Sequence, residues 1–221
     1  MNKFLHRIFL IFPTLRIIHH VFFLRPWNLV NVSNFFIKGD KILSNHYKSF
    51  MKLDSNKSST ISLDIGCGLN PSNPFEASKV IGVDLFEDID HEIKKCYLGY
   101  EPLPYESNSI DYVSAFDLIE HIQRIDFKDG KMKTPFIYLM NEIWRVLKND
   151  GLFLSFTPIV PFQGAYQDPT HVNLITYGTF KNYFSDHKFK IASEYGIKTN
   201  FKILDEKLYG QHLVSILNKS N

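Results

Sequence analysis

Two short stretches of this chain carry residues whose types and spacing suit chemistry. In Leu63-Asp64-Ile65-Gly66-Cys67-Gly68 an apolar run ends in an acid and two glycines. Glycine lets a backbone turn sharply and approach a ligand where a Cβ would clash. Asp84 follows Asp64 by 20 residues, at the end of the next apolar run, Ile81-Gly82-Val83-Asp84. An acid so placed can accept two hydrogen bonds from a ribose diol, and ligands of open α/β sheets collect at the carboxyl ends of strands. The second stretch, Tyr166-Gln167-Asp168-Pro169-Thr170-His171, is polar and follows Thr157-Pro158 at a strand end. An imidazole beside a carboxylate can take a proton near neutral pH; the same Asp168–His171 pair serves equally well as loop scaffolding.

The elements that must position these residues follow from periodicity. Ile61–Ile65, Val80–Leu85, Ile110–Ala115 and Leu152–Phe156 read as short buried strands, the last behind a turn signal at Asn149-Asp150-Gly151. Pro135–Leu147 has helical spacing of apolar residues. Strands alternating with helical stretches predict a parallel sheet with helices on both faces. Farther on, Thr176–His187 reads as a helix, and Phe189–Tyr195 and His212–Leu217 as strands. With Gly210 in the intervening loop, these add an antiparallel hairpin to the sheet edge. Residues 1–55 read as a helical appendage and residues 56–221 as the main domain, with the polar linker Asp54–Thr60 at the boundary and a second helix over Lys41–Leu53.

Composition narrows the classes. The 221 residues include 25 basic and 23 acidic ones, for a net charge of +2. That balance supplies no broad field for nucleic acid, which is not expected as a partner. The two cysteines, Cys67 and Cys96, have no CxxC spacing, and the nine histidines show no HExxH pairing. Neither a disulfide scaffold nor a metal is expected, and a reducing, cytoplasmic setting fits. Phe4, Ile8, Ile11, Leu15, Ile18 and Phe22 recur at helical steps, but Arg7, Pro13 and Arg16 interrupt the run. An arginine near the centre of a spanning helix costs roughly 2.5–3.5 kcal/mol even on lenient scales. The segment is therefore read as neither a span nor a signal. A cap on the main domain, a peripheral membrane contact through residues 4–24 and a homodimer contact remain open for it.

With these residues in view, the chain resembles the class I S-adenosylmethionine-dependent methyltransferases, in particular the type 11-like group. Leu63–Gly68 is similar to the first motif of that family and Gly82-Val83-Asp84-Leu85 to the second. Pro102-Leu103-Pro104-Tyr105 with Ser109–Val113 looks like the approach to the fourth strand, and Asp117–Ile122 like the segment after it. Asn141–Lys148 and Gly151-Leu152-Phe153 match the helix and strand beyond. The resemblance covers about residues 61–160.

It implies a Rossmann-like seven-stranded sheet and S-adenosylmethionine as cofactor. Asp64, Gly66, Cys67, Gly68 and Asn70 would surround the methionine portion, and Asp84 and Leu85 the ribose. Tyr97 or Leu98 would line the adenine pocket, and Ala115–Asp117, with Phe116 and Asp117 foremost, would flank the methionine and sulfonium. Asn70 replaces the usual third glycine; Asn tolerates a left-handed backbone, so the turn can survive. Pro71–Ser78 holds two prolines and should make a poor first helix. Tyr97 stands where an acid often contacts adenine.

At the acceptor end His171 is the candidate base and Asp168 its orienting partner, in a loop similar to the family's Asp-Pro-Thr-His, followed by Thr176–Phe180. Asp111 and Glu120 read as structural, His121 as a packing histidine and Cys67 as a small turn residue rather than a reactive thiol. The acceptor is left as a small molecule, a glycan or a lipid-linked compound, methylated at oxygen. Two rivals stand beside this reading: a cofactor-binding scaffold without turnover, and an NAD(P)-dependent Rossmann enzyme.

Overall fold

A computed structural model describes residues 59–128 and 130–220. The N-terminal appendage, its boundary and the helix expected over Lys41–Leu53 lie outside these residues. The described residues form nine strands: β1 (Ile61–Ile65), β2 (Lys79–Asp84), β3 (Ile93–Lys95), β4 (Ile110–Phe116), β5 (Asp126–Lys128), β6 (Lys131–Lys133), β7 (Leu147–Pro158), β8 (Lys202–Tyr209) and β9 (His212–Asn218). Among the described residues two α-helices join them, α1 (Pro135–Val146) and α2 (Gly178–Tyr183).

Seven strands form one sheet in the order β3-β2-β1-β4-β7-β9-β8, and β5 pairs with β6 in a separate ribbon. From β3 to β7 every pairing is parallel; β9 is antiparallel to both β7 and β8. The central strands are buried on both faces, so their positions do not alternate between buried and exposed. Leu63, Ile65, Val113, Ala115 and Phe153 are fully buried there. Helix α1 begins at Pro135, whose fixed φ and missing N–H suit a first helical position. It sends Phe136, Leu139, Met140, Ile143 and Val146 into the core.

Two local expectations change. Asn149-Asp150-Gly151 does not separate a helix from a strand. It lies inside β7, whose register with β4 jumps from Ile110–Leu147 to Tyr112–Leu152, and Asp150 takes φ of 64° to absorb the extra residues. Phe189–Tyr195 is not a strand: Lys190–Tyr195 is a 3-10 helix closed by Gly196 at φ 87°. Phe189 and Ile191 stay exposed there, so no face of that segment earns burial as a strand.

The hairpin at the sheet edge exists, but its first arm is β8. As an edge strand carrying Lys202, Asp205, Glu206 and Lys207, it hides its period behind charge, a usual defence against edge pairing. Helix α2 is also shorter than expected. Phe201 pairs with the backbone at Phe184 and Asp186, drawing the chain out of the helical path.

Candidate active site at the carboxyl ends of the strands

β1 and β2 are neighbours, with Asp64 opposite Gly82 and Ile65 opposite Val83, so Asp64 and Asp84 stand at adjacent strand tips. The turn after β1 is anchored by its own geometry. Gly66 N–H donates to Val83 O at 2.8 Å, and Gly66 and Gly68 take φ of 67° and 58°. A Cβ on Gly66 would also lie 2.7 Å from Leu118 Cδ1. On the adjoining strand, a Cβ on Gly82 would meet Cys67 Sγ at 2.6 Å and Pro71 Cγ at 2.8 Å. Glycine at these two places lets turn and strand touch.

Asp84 is half-buried and accepts from Gly68 N–H (2.8 Å, Oδ2) and Leu85 N–H (2.6 Å, Oδ1). A carboxylate offers about four acceptor positions, so two remain for a ligand diol. Asp64 lies deeper. Ser114 Oγ donates to its Oδ1 (2.6 Å) and Ser72 N–H to its Oδ2 (2.8 Å). Burial pushes its pKa up to about 6 against these hydrogen bonds, and Asp84 adds a small push in the same direction. Asp64 therefore ties the loop after the turn to β4.

Other expected residues fall at the same end. Leu98 is buried in the chain that follows β3, Leu85 is exposed beyond Asp84, and Phe116 is half-buried at the tip of β4. Asn70 is exposed and not left-handed, so the tolerance expected of it is not used; Gly66 and Gly68 take the positive φ values of the turn. Residues 66–78 form no helix, in keeping with their prolines. Burial drives the Cys67 thiol up to about 12, which makes it unreactive at neutral pH. Asp117 ends β4 at φ 46°, and its Oδ1 lies 3.0 Å from His212 Nε2.

A second group of side chains gathers beyond β4 and β7. Glu120 belongs to the short 3-10 helix Ile119–His121 and is 2% exposed. Thr157 Oγ1 donates to its Oε2 at 2.8 Å, while Oε1 is buried without a partner. Burial pushes its pKa up to about 7. Its carbonyl accepts from Val172 and Asn173 N–H, both at 2.9 Å, and Asn173 Nδ2 donates to Ile119 O. Arg124 donates to Asn173 Oδ1 and to the Leu174 carbonyl.

These bonds bring residues 168–174 against residues 119–124. His171 thereby packs edge-on against His121, ring centroids 4.8 Å apart, and its Nδ1 is buried without a partner. Its Nε2 is 3.9 Å from Asp168 Oδ2, an ion-pair distance and not a hydrogen bond. The expected pair is thus assembled, together with Glu120 and His121, which sequence reasoning set aside as structural and packing residues. Asp111, by contrast, is structural: it accepts from Ile61 N–H and the Lys148 ammonium.

Comparison with known proteins agrees with this geometry. Residues 63–155 match the family described as Methyltransferase domain. No curated protein matches significantly. Among solved structures, a putative sarcosine dimethylglycine methyltransferase from Galdieria sulphuraria aligns with a TM-score of 0.53 at 12% identity, over 83% of this chain and 86% of that one. A protein from Pyrococcus horikoshii OT3 aligns with a TM-score of 0.50 at 16% identity, over 91% and 99%. The [4+2]-cyclase SpnF also scores 0.50 at 14% identity, over 82% and 80%. At such identities the structural likeness speaks to the fold. The family match adds the activity and, with it, S-adenosylmethionine as cofactor. With that match over residues 63–155 and a glycine turn facing Asp84 across adjacent parallel strands, these residues form a methyltransferase domain similar to those of the class I, S-adenosylmethionine-dependent kind.

Proposed function

We propose that this methyltransferase acts on an oxygen of a small-molecule, glycan or lipid-linked acceptor, with the donor held at the β1–β2 tips and the acceptor at the β4–β7 tips. The observation that carries the donor half is Asp84, braced by two backbone amides with acceptor capacity to spare. The residues fit the cofactor. Asp84 takes the ribose hydroxyls, with Leu85 beside it, and Leu98 backs the adenine. Gly66, Cys67, Gly68 and Asn70 supply turn backbone beside the methionine portion, and Phe116 and Asp117 flank it from β4. Asp64 works chiefly by holding the loop in place.

An NAD(P) enzyme is the weaker reading. A pyrophosphate is normally bound at a helix N-terminus, and residues 66–78 provide none.

When bound, S-adenosylmethionine supplies a methyl already activated on a sulfonium, and its loss leaves the bonding pair on sulfur as S-adenosylhomocysteine. The protein's task is then alignment of an acceptor lone pair and exclusion of water. The new O–C bond forms from that lone pair, and the hydroxyl proton is released to water. His171 assists the proton's departure and Asp168 positions His171. The lipid-linked class draws support from the apolar, basic residues 4–24 of the sequence. No helix among the described residues is long and apolar enough to cross a membrane.

Calorimetry with S-adenosylhomocysteine and with NAD tests the donor half: saturable binding of the first and none of the second is expected. An acceptor screen with methyl-labelled cofactor then reads label in the product. Label only on nitrogen or carbon, or none at all with bound cofactor, overturns the oxygen assignment.

A further inference from the structure

We propose that Glu120, His121 and His171 form a binding site for a divalent first-row transition cation at the acceptor end of the sheet. A carboxylate oxygen of Glu120 and one ring nitrogen from each histidine lie within 4.8 Å of one another. Two imidazoles and one carboxylate make a donor set for zinc, manganese, cobalt or iron rather than for magnesium, which favours oxygen alone.

Two independent observations point to an occupant. Glu120 Oε1 and His171 Nδ1 are both buried and both lack a partner. Buried polar atoms are nearly always paired, so two orphans in one three-residue cluster call for an ion or a ligand there.

The surroundings orient the three groups as metal ligands are usually oriented. Thr170 Oγ1 donates its single proton to Asp168 Oδ1 at 2.6 Å. His121 Nδ1, 3.0 Å from that same hydroxyl oxygen, must then be the donor to it, which leaves the lone pair of its neutral ring on Nε2. The other oxygen of Asp168 faces His171 Nε2, which leaves Nδ1 for the cation. Thr157 engages Glu120 Oε2, which leaves Oε1 as the unengaged ligand atom. One carboxylate, Asp168, thus stands behind both imidazoles.

Ligand atoms on a tetrahedral ion are about 3.4 Å apart for bonds near 2.1 Å. The set must contract by up to about 1.4 Å from its 4.8 Å spread, and His121, exposed on its short helix, can move to close it. Three protein ligands leave a position open. Filled by the acceptor hydroxyl, that position makes the hydroxyl more acidic, and its proton passes to water as the O–C bond forms. This role rests on the proposed methyl transfer, whereas the binding does not.

The test is calorimetry of the full chain with Zn2+, with the Co2+ visible spectrum as a second readout of nitrogen ligation. Binding of one ion per chain is expected, with Mg2+ at least tenfold weaker. Glu120→Gln and His121→Ala should each weaken it more than tenfold, and Asp168→Asn by about 10–100-fold. His121→Ala alters an exposed residue and keeps the comparison valid if the buried Glu120→Gln fails to fold. Absence of saturable binding, or equal affinity in wild type and His121→Ala, overturns the site. S-adenosylhomocysteine titrated into the same samples separates the two ideas. Binding of cofactor product without metal sinks the site alone, and metal binding without cofactor product sinks the donor assignment alone.

Discussion

The donor end and the acceptor end of this sheet differ in how their polar groups are satisfied. At the β1–β2 tips each oxygen of Asp64 and Asp84 accepts a hydrogen bond, three of the four from backbone amides of nearby turns. At the β4–β7 tips Glu120 Oε1 and His171 Nδ1 are buried with no partner, and the bonds that assemble them join residues about 50 apart in the chain. A satisfied loop is preorganised for a ligand that every member of the family shares. An unsatisfied one is incomplete until something binds. In the proposed reading, the common chemistry belongs to the satisfied half and the individual chemistry to the other.

The contrast can be broken most forcefully at His171. His171→Ala should lower methyl transfer to the screened acceptor by about 10²–10⁴-fold, the range typical of lost proton-transfer assistance. Affinity for S-adenosylhomocysteine should stay within about twofold. A parallel loss of cofactor binding in calorimetry would show that the two ends are not separable.

The converse change, Asp84→Asn, removes a charge-assisted acceptor, typically about 1.5–3 kcal/mol, so cofactor affinity should fall about 10–100-fold. Cation binding in the same variant should be untouched. Next in size is Gly82→Ala. Its Cβ would press on Cys67 Sγ and Pro71 at under 3 Å, so unfolding by denaturant should show a loss of about 1–3 kcal/mol.

The smallest effect concerns pH. Asp64 is pushed up to about 6 by burial, with Cys67 and Asp84 as its titratable neighbours. A carboxyl with a raised folded-state pKa holds its proton more tightly when folded. Its contribution to stability is full below about pH 4 and fades as pH rises through about 6. Asp64→Asn should flatten that part of the melting-temperature profile between pH 4 and 6.5; an unchanged slope would reassign it to other carboxyls.

How far each region could be read in the sequence follows from the range of its contacts. The turn Leu63–Gly68, the acid at Asp84, the central strands and helix α1 all announce themselves within about 20 residues, because buried strands and glycine turns leave local patterns. Strand β8 left none, since an edge strand full of Lys, Asp and Glu resembles a loop. Phe189–Tyr195 looked like a strand because its apolar residues are frequent, yet Gly196 at positive φ closes it as a 3-10 turn.

By itself, then, the order of residues determined the fold family, the donor and the two carboxylates at adjacent strand tips, because each depends on backbone shape and short spacing. Only the tertiary structure decided which side chains share the acceptor end. Glu120 and His121 meet His171 through backbone bonds from Val172 and Asn173 to one carbonyl, and no local spacing encodes a contact made across 50 residues. Burial is likewise a property of the assembled core, so the orphaned atoms of Glu120 and His171 could not have been told from satisfied ones before the chain was folded.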